Sequence, residues 1–177
     1  MKKNNFILVL MMCFSLTLFA QNNKDKKIIK DAERAKQAFI EKNKSMATYF
    51  AEADAYVIFP NVGEGAFIVG GASGNGAVYE NGKLIGMAKM KKIDVGAQIG
   101  GEAYSEAILF NSEEAFQRFK DDDFELSAKA SAVLVKDGAS IDANYRYGVA
   151  VFTMPKAGLS VEASVGGQNF EFIPFEE

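Results

Sequence analysis

The feature that most constrains the fold is a change of hydrophobic period near residue 55. Before it, Ile28, Ala32, Ala35 and Phe39 recur at spacings of four, three and four, which predicts an amphipathic helix over residues 24–42. After it, apolar residues alternate with polar ones and glycine-rich turns recur, which predicts strands. The chain therefore begins with helices and continues as a sheet.

This order predicts an α+β fold in which N-terminal helices pack on a curved, mainly antiparallel sheet or a barrel-like sheet. Ser45 is expected to cap a second short helix over 46–53. The first strand, 55–59, is expected to end at Pro60. Asn81-Gly82 predicts a two-residue hairpin turn. Asn111 or Ser112 is expected to cap a helix from Glu113 to Lys120.

Three segments are expected along the chain. Residues 1–20 read as a signal peptide, with Lys2 and Lys3 before an apolar run that ends at Ala20. Residues 21–53 form a basic helical segment, and 54–177 form a Gly-rich β domain that makes one unit with the helices. The protein is therefore expected to be exported, to the periplasm or the exterior. Cys13 lies inside the apolar run after the bulky Met12, which argues against lipoprotein anchoring at that cysteine.

The charge is unevenly distributed. Residues 24–44 contain eight basic and four acidic residues, whereas residues 45–177 contain ten basic and 19 acidic ones. A basic helix on an acidic body favours anions at one end of the molecule, although a solvated helix face has the same composition. The apolar stripe of this helix could be buried against the domain or lie on a membrane, and its small alanines favour burial.

The composition excludes several kinds of active site. The chain has no histidine and one cysteine, within the predicted leader, so His- or Cys-based catalysis and metal ligation are not expected, nor is a cofactor. A carboxylate enzyme would depend on Glu102, Tyr104, Ser105 and Glu106, and we expect none. Residues 70–76 lack the Lys-Ser/Thr of a phosphate loop and are expected to be a hairpin connection. Lys89, Lys91 and Lys92 have no interleaved aromatics, so nucleic acid is not an expected partner.

Two glycine blocks contain polar residues where structural roles are expected. Gln98 lies within an apolar run, so it should be buried and hydrogen-bonded, with glycines beside it that permit close approach of a neighbouring backbone. The second block repeats Gly-Gly-Gln near the C-terminus. The predicted structural set is Gly96, Gln98, Gly100, Gly101, Gly166, Gly167 and Gln168.

These blocks, together with the Gly-rich segment 63–71 and the run 148–152, resemble the SYLF domain family, in a secreted bacterial form. Eukaryotic members bind phosphoinositide-rich membranes through basic, amphipathic N-terminal segments. The resemblance implies a non-enzymatic lipid-binding module with anionic lipid as partner. The corresponding residues here are Lys24, Lys26, Lys27, Lys30, Arg34 and Lys36.

Two departures from the family pattern bear on the partner. The chain has no Trp, and Ile85 to Ala88 occupy the region of a Trp-Ser-x-Pro-like segment. It also has no SH3 domain, so the actin-related roles of fungal relatives are not expected. The alternative function is a structural or protein-interaction module of the bacterial cell envelope.

Overall fold

The computed structural model describes residues 23–64, 71–93, 103–121, 125–126, 132–137, 141–156 and 167–175. Helix α1 spans residues 23–42, and the other two helices are α2 (Ser45–Glu52) and α3 (Glu113–Lys120). The strands are β1 (Ala55–Glu64), β2 (Gly71–Glu80), β3 (Lys83–Ile93), β4 (Ala103–Phe110), β5 (Glu125–Leu126), β6 (Val133–Leu134), β7 (Val149–Pro155) and β8 (Gln168–Pro174).

The described strands form one sheet in the order β5-β8-β3-β2-β1-β4-β7-β6. Each neighbouring pair is antiparallel except β6 and β7, which are parallel. Within the described residues the sheet is open, with β5 and β6 at its edges. The predicted α+β class, with N-terminal helices on a mainly antiparallel sheet, is confirmed.

The sheet has a helix layer on each face. On the outer face, Tyr56 and Ile58 of β1 belong to an apolar cluster with residues of α1 and α2. On the inner face, Val57 and Phe59 belong to a second cluster that includes α3. Both faces of the first half of β1 are therefore covered, which explains why residues 55–59 form an unbroken apolar run.

The sheet curls around α3. Phe170 of β8 lies 5.8 Å from Phe59 of β1 and 5.9 Å from Phe119 of α3 between ring centroids. In a flat sheet β8 and β1, which are three positions apart, would be separated by about 14 Å. The rings of the two strands meet because the sheet bends toward its inner face.

Glycines on the inner face leave room for this bend. A Cβ atom at Gly76 of β2 would lie 2.7 Å from the Ile58 carbonyl oxygen and 2.8 Å from Phe59 Cδ1. A Cβ atom at Gly86 of β3 would lie 2.5 Å from the Ile173 carbonyl oxygen. Because a side chain at these positions would collide with backbone atoms, the concave surface requires glycine there.

The predicted hairpin turn is confirmed. Asn81 has φ 50° and Gly82 has φ 75°, and β2 and β3 pair on either side of them. Two consecutive positive φ values are typical of a type I′ turn, whose twist matches that of the strands. Helix α3 also begins as predicted, because Ser112 Oγ accepts a hydrogen bond from Ala115 N at 3.3 Å.

Two predicted element boundaries, the end of β1 at Pro60 and the cap of α2 at Ser45, are wrong. β1 does not end at Pro60; it continues to Glu64 across a register shift between Ile58 and Asn61, where a residue without an N–H group is tolerated. Ser45 is the first residue of α2 and not its cap, and its backbone N donates to Asn43 Oδ1 at 3.1 Å.

One further predicted connection is also placed differently. The described part of the expected connection 70–76 belongs to β2, which is one continuous strand from Gly71. Strand β7 begins at Val149, directly after a turn at Tyr147-Gly148 with φ 51° and 81°. Tyr147 was missed as a turn residue because aromatic residues are uncommon at positive φ.

Candidate functional site

Helix α1 rests on the outer face of the sheet through its apolar stripe. Ala32, Ala35 and Phe39 are buried, and Phe39 meets Phe50 of α2 edge-on at 6.4 Å between ring centroids. Ile28 and Ile40 are half-buried. The sequence left open whether this stripe is buried against the domain or lies on a membrane, and in the structure it is buried against the domain. The stripe is therefore not available for insertion into lipid.

Burial of one side of α1 leaves its opposite side in solvent. Five of the six basic residues predicted to bind lipid are exposed: Lys24, Lys26, Lys27, Lys30 and Arg34. Arg34 pairs with Asp31 at 3.2 Å, yet its side chain remains 67% exposed. We call these five residues the basic patch.

The charge of α1 is most positive in its first two turns. Lys24, Lys26, Lys27 and Lys30 share that stretch with Asp25 alone among acidic residues. Further along, a shallow surface depression of about 590 Å³ is lined by two cations, Lys30 and Arg34, and by two acids, Glu33 and Glu41. The net attraction for anions is therefore strongest near the beginning of the helix.

Lys36 lies apart from the basic patch. Its Nζ donates a hydrogen bond to Tyr56 Oη at 2.7 Å and lies 4.4 Å from the centroid of the Tyr56 ring and 5.1 Å from that of Phe50. This amine contacts the sheet and α2 at once, so its interactions hold α1 on the domain. The spacing of cations along the sequence did not distinguish Lys36 from the others.

A buried tyrosine lies next to this contact. The ring of Tyr79 stacks on that of Tyr56 at 4.9 Å between centroids. Burial, followed by the nearby charge of Glu33, raises the pKa of Tyr79 to about 12. Its Oη is buried and has no hydrogen-bond partner within the described part of the chain. This hydroxyl is a destabilising feature of the interface beneath α1.

The predicted structural set is described in part. Gly96, Gln98, Gly100, Gly101 and Gly166 lie outside the described residues. Gly167 has φ 75° and precedes β8. Gln168 is fully buried, and its Nε2 donates a hydrogen bond to Glu106 Oε2 at 3.0 Å.

The residues considered for carboxylate chemistry are separated by the sheet. Tyr104 belongs to the inner cluster, and Glu106, two positions later on β4, is buried with it on the same face. Ser105 lies on the outer side, where its Oγ donates to the Pro60 carbonyl oxygen at 2.9 Å. Glu102 lies outside the described residues. Ser105 and Glu106 therefore do not share a site.

No group of three or more His, Cys, Asp or Glu side chains in the described part of the chain could hold a metal ion. None of the described helices is long and apolar enough to cross a membrane.

Comparison with known proteins gives one partial likeness. No family model matches the chain. Over 82 residues the chain is 29% identical to Beta cell expansion factor A of Aeromonas veronii. The match covers 46% of this chain and 31% of that protein, so the chain spans about a third of the relative's length.

Proposed function

We propose that this protein is an exported, non-enzymatic domain that associates with anionic lipid at a membrane surface through the basic patch of α1. The observation that carries the proposal is the two-sidedness of α1. Its apolar stripe is buried on the sheet, and Lys26, Lys30 and Arg34 extend into solvent on the other side, while Lys24 and Lys27 are also exposed near the start of the helix. Such a helix can approach a charged surface without leaving the domain.

This arrangement favours electrostatic attachment over insertion. Each Lys or Arg near an anionic membrane surface contributes on the order of 1 kcal/mol. Arg34 contributes less because Asp31 already pairs with it at 3.2 Å. The attachment is therefore weak, reversible and sensitive to salt, since ions screen charges that are separated by more than about 8 Å at physiological ionic strength.

The resemblance of the glycine blocks to SYLF domains supports the same proposal. At the level of the family, we propose that the chain is a bacterial SYLF-like domain. The partial match to the Aeromonas protein is compatible with it. The name of that protein refers to beta cell expansion. Because the match covers only 31% of that protein, we do not extend this effect to the present chain. For an exported bacterial protein, we propose anionic lipid in general as the partner, and not phosphoinositides in particular.

Co-sedimentation with vesicles tests the proposal. The full chain is mixed with vesicles of neutral lipid and with vesicles that contain an anionic lipid, at low and at high salt. We expect binding to the anionic vesicles at low salt and its loss at high salt. Equal binding to both kinds of vesicle, or binding that salt does not weaken, would contradict electrostatic attachment.

The alternative is a structural or protein-interaction module of the envelope. One observation favours it: the stripe of α1 is core, as that reading requires. Tyr147, 92% exposed at the tip of a tight turn, would then be a candidate contact for a protein partner. A protein that ignores anionic vesicles at low salt would support this alternative.

A further inference from the structure

The outer face of the sheet is divided into two halves of different chemistry. Near the Asn81-Gly82 turn it is apolar and covered by α1 and α2, with Tyr56, Ile58 and Ala77 in the shared cluster. Farther along the same strands it is polar and exposed. We call this exposed half the polar shelf; its residues are Asn61, Ser73, Asn75, Lys89, Lys91, Asn169 and Glu171.

The strand register arranges the shelf in two rows. Asn61 of β1 pairs with Asn75 of β2, which pairs with Lys89 of β3. In the next row, Ser73 of β2 pairs with Lys91 of β3, which pairs with Asn169 of β8. Neighbouring side chains in a row are thus about 4.8 Å apart, and the rows are about 7 Å apart along the strands. The sheet backbone holds these polar groups in place before any ligand arrives.

The shelf carries a small excess of positive charge: its three amines outnumber two carboxylates, Glu171, which pairs with Lys89, and Glu125 of β5, which is the register partner of Asn169. Lys156 reaches Asn61 Oδ1 from the end of β7 and adds a third amine at the β1 side of the shelf. Glu171 pairs with Lys89 at 3.0 Å, and both side chains stay largely exposed, at 52% and 45%. Lys91 has no ion pair within the described part of the chain. Amides, a hydroxyl and three amines can together donate hydrogen bonds to hydroxyl and carboxylate oxygens.

The residue composition of the shelf favours some classes of partner over others. Protein interfaces are enriched in aromatic residues, Met and Arg and are depleted in Lys and Ser, which is the opposite of this surface. A flat membrane would meet α1 first, because the helix lies on the same face and is about 10 Å thick. A thin, hydrophilic, negatively charged polymer can lie on the shelf beside the raised helix α1, and its charge complements the amines of the shelf.

We propose that the polar shelf binds an acidic polysaccharide, a chain that bears hydroxyl groups and carboxylates. Lys89 and Lys91 would pair with its carboxylates, and Asn61, Asn75 and Asn169 would hydrogen-bond to its hydroxyl groups. This site is separate from the basic patch on α1 and does not rest on lipid binding.

The probes are alginate, a linear polymer of uronic acids, and dextran, a neutral polymer of similar length, titrated into the full chain by calorimetry. The variant Lys89→Gln/Lys91→Gln removes two charges from the shelf. The matched control Lys27→Gln/Lys30→Gln removes two from α1. Because exposed charge pairs contribute modestly, we expect the shelf variant to weaken alginate binding about five- to tenfold and the control less than twofold. Dextran should bind at least tenfold more weakly than alginate.

A second variant, Asn75→Asp, places a negative charge in the same row as Lys89 without a change of shape, and it should weaken alginate binding as well. Equal losses in the shelf variant and the α1 control would overturn the proposal, as would wild-type protein that ignores alginate or binds dextran equally well. Loss of vesicle binding in the shelf variant would make the shelf a membrane contact and would also overturn it. Single-stranded DNA that binds with the same dependence on Lys89 and Lys91 would show a general polyanion site, and not a polysaccharide site.

Discussion

Gln168 of β8 donates a hydrogen bond to Glu106 of β4 at 3.0 Å, although three strands separate β8 from β4 in the sheet. In a flat sheet these strands would be about 19 Å apart. Both side chains are fully buried on the inner face, so the contact crosses the concave surface from one side of the curl to the other. A buried amide and a buried carboxylate thus link distant strands of the sheet.

Gln168→Leu should destabilise the fold. The substitution removes a donor from the Glu106 carboxylate within a buried environment, which typically costs about 1–3 kcal/mol and more for a charged group. Chemical denaturation of the variant beside Asn169→Ala, an exposed neighbour on the same strand, measures the difference. The control should stay within about 0.5 kcal/mol of wild type. An unchanged midpoint for Gln168→Leu would show that this contact does not stabilise the curl.

Gly76→Ala tests whether the concave surface needs glycine. The new Cβ would lie 2.7 Å from the Ile58 carbonyl oxygen, so the strands must shift, at a cost of about 1–3 kcal/mol. Gly63 is the matched control, because a Cβ there has no heavy atom within 4 Å. Gly63→Ala should be neutral or stabilise by up to about 1 kcal/mol through the unfolded state. If both variants melt with wild type, crowding at Gly76 does not limit the sheet.

Tyr79→Phe should leave the fold as stable as wild type, or stabilise it by up to about 1 kcal/mol near pH 7, because it removes a buried hydroxyl without a hydrogen-bond partner among the described residues. It should also change the alkaline limb of the stability profile. The raised pKa of about 12 means that the folded state keeps the Tyr79 proton while the unfolded state loses it near pH 10. Wild-type stability is therefore lost as the pH rises from about 10 to about 12.

Thermal melts of wild type, Tyr79→Phe and Tyr147→Phe across this pH range test the assignment. The Tyr79 variant should lose part of the alkaline slope. Tyr147 is 92% exposed, so Tyr147→Phe should follow the wild-type curve. Identical alkaline slopes for wild type and Tyr79→Phe would contradict the assignment.

Lys36→Gln separates the structural cation from the basic patch. The variant loses the 2.7 Å hydrogen bond from Nζ to Tyr56 Oη and the contacts of the amine with two aromatic rings. We therefore expect the free energy of unfolding to fall by about 1 kcal/mol. Lys30→Gln, on the exposed side, should melt like wild type. A stable Lys36→Gln protein with strongly reduced vesicle binding would instead return Lys36 to the lipid-binding set.

The sequence predicted the class of fold because helical and strand periods are local signals. The stripe of α1, the Asn81-Gly82 turn and the Ser112 cap each depend on a few neighbouring residues, and each is observed. The prediction that β1 ends at Pro60 was wrong because Pro60 lies at a register shift, where its missing N–H group is accommodated. This shift depends on the pairing of β1 with β2 and β4.

The candidate site was predictable in part for the same reason. Helical spacing distinguishes the buried side of α1 from the exposed side, but Lys36 lies at the boundary between them, and its contact with Tyr56 is set by tertiary packing. The polar shelf was missed because its residues come from different strands. Lys89 and Lys91 read as a small cluster until the register places Asn61, Asn75 and Asn169 beside them.

The most direct test of lipid attachment through α1 is the vesicle partition coefficient of Lys27→Glu/Lys30→Glu relative to wild type at low salt. Both side chains are exposed, so the variant should melt like wild type. Because each position changes by two charges near an anionic surface, we expect partition to fall by at least about 100-fold. Wild-type partition in this variant, with wild-type protein bound to the same vesicles, would contradict the account.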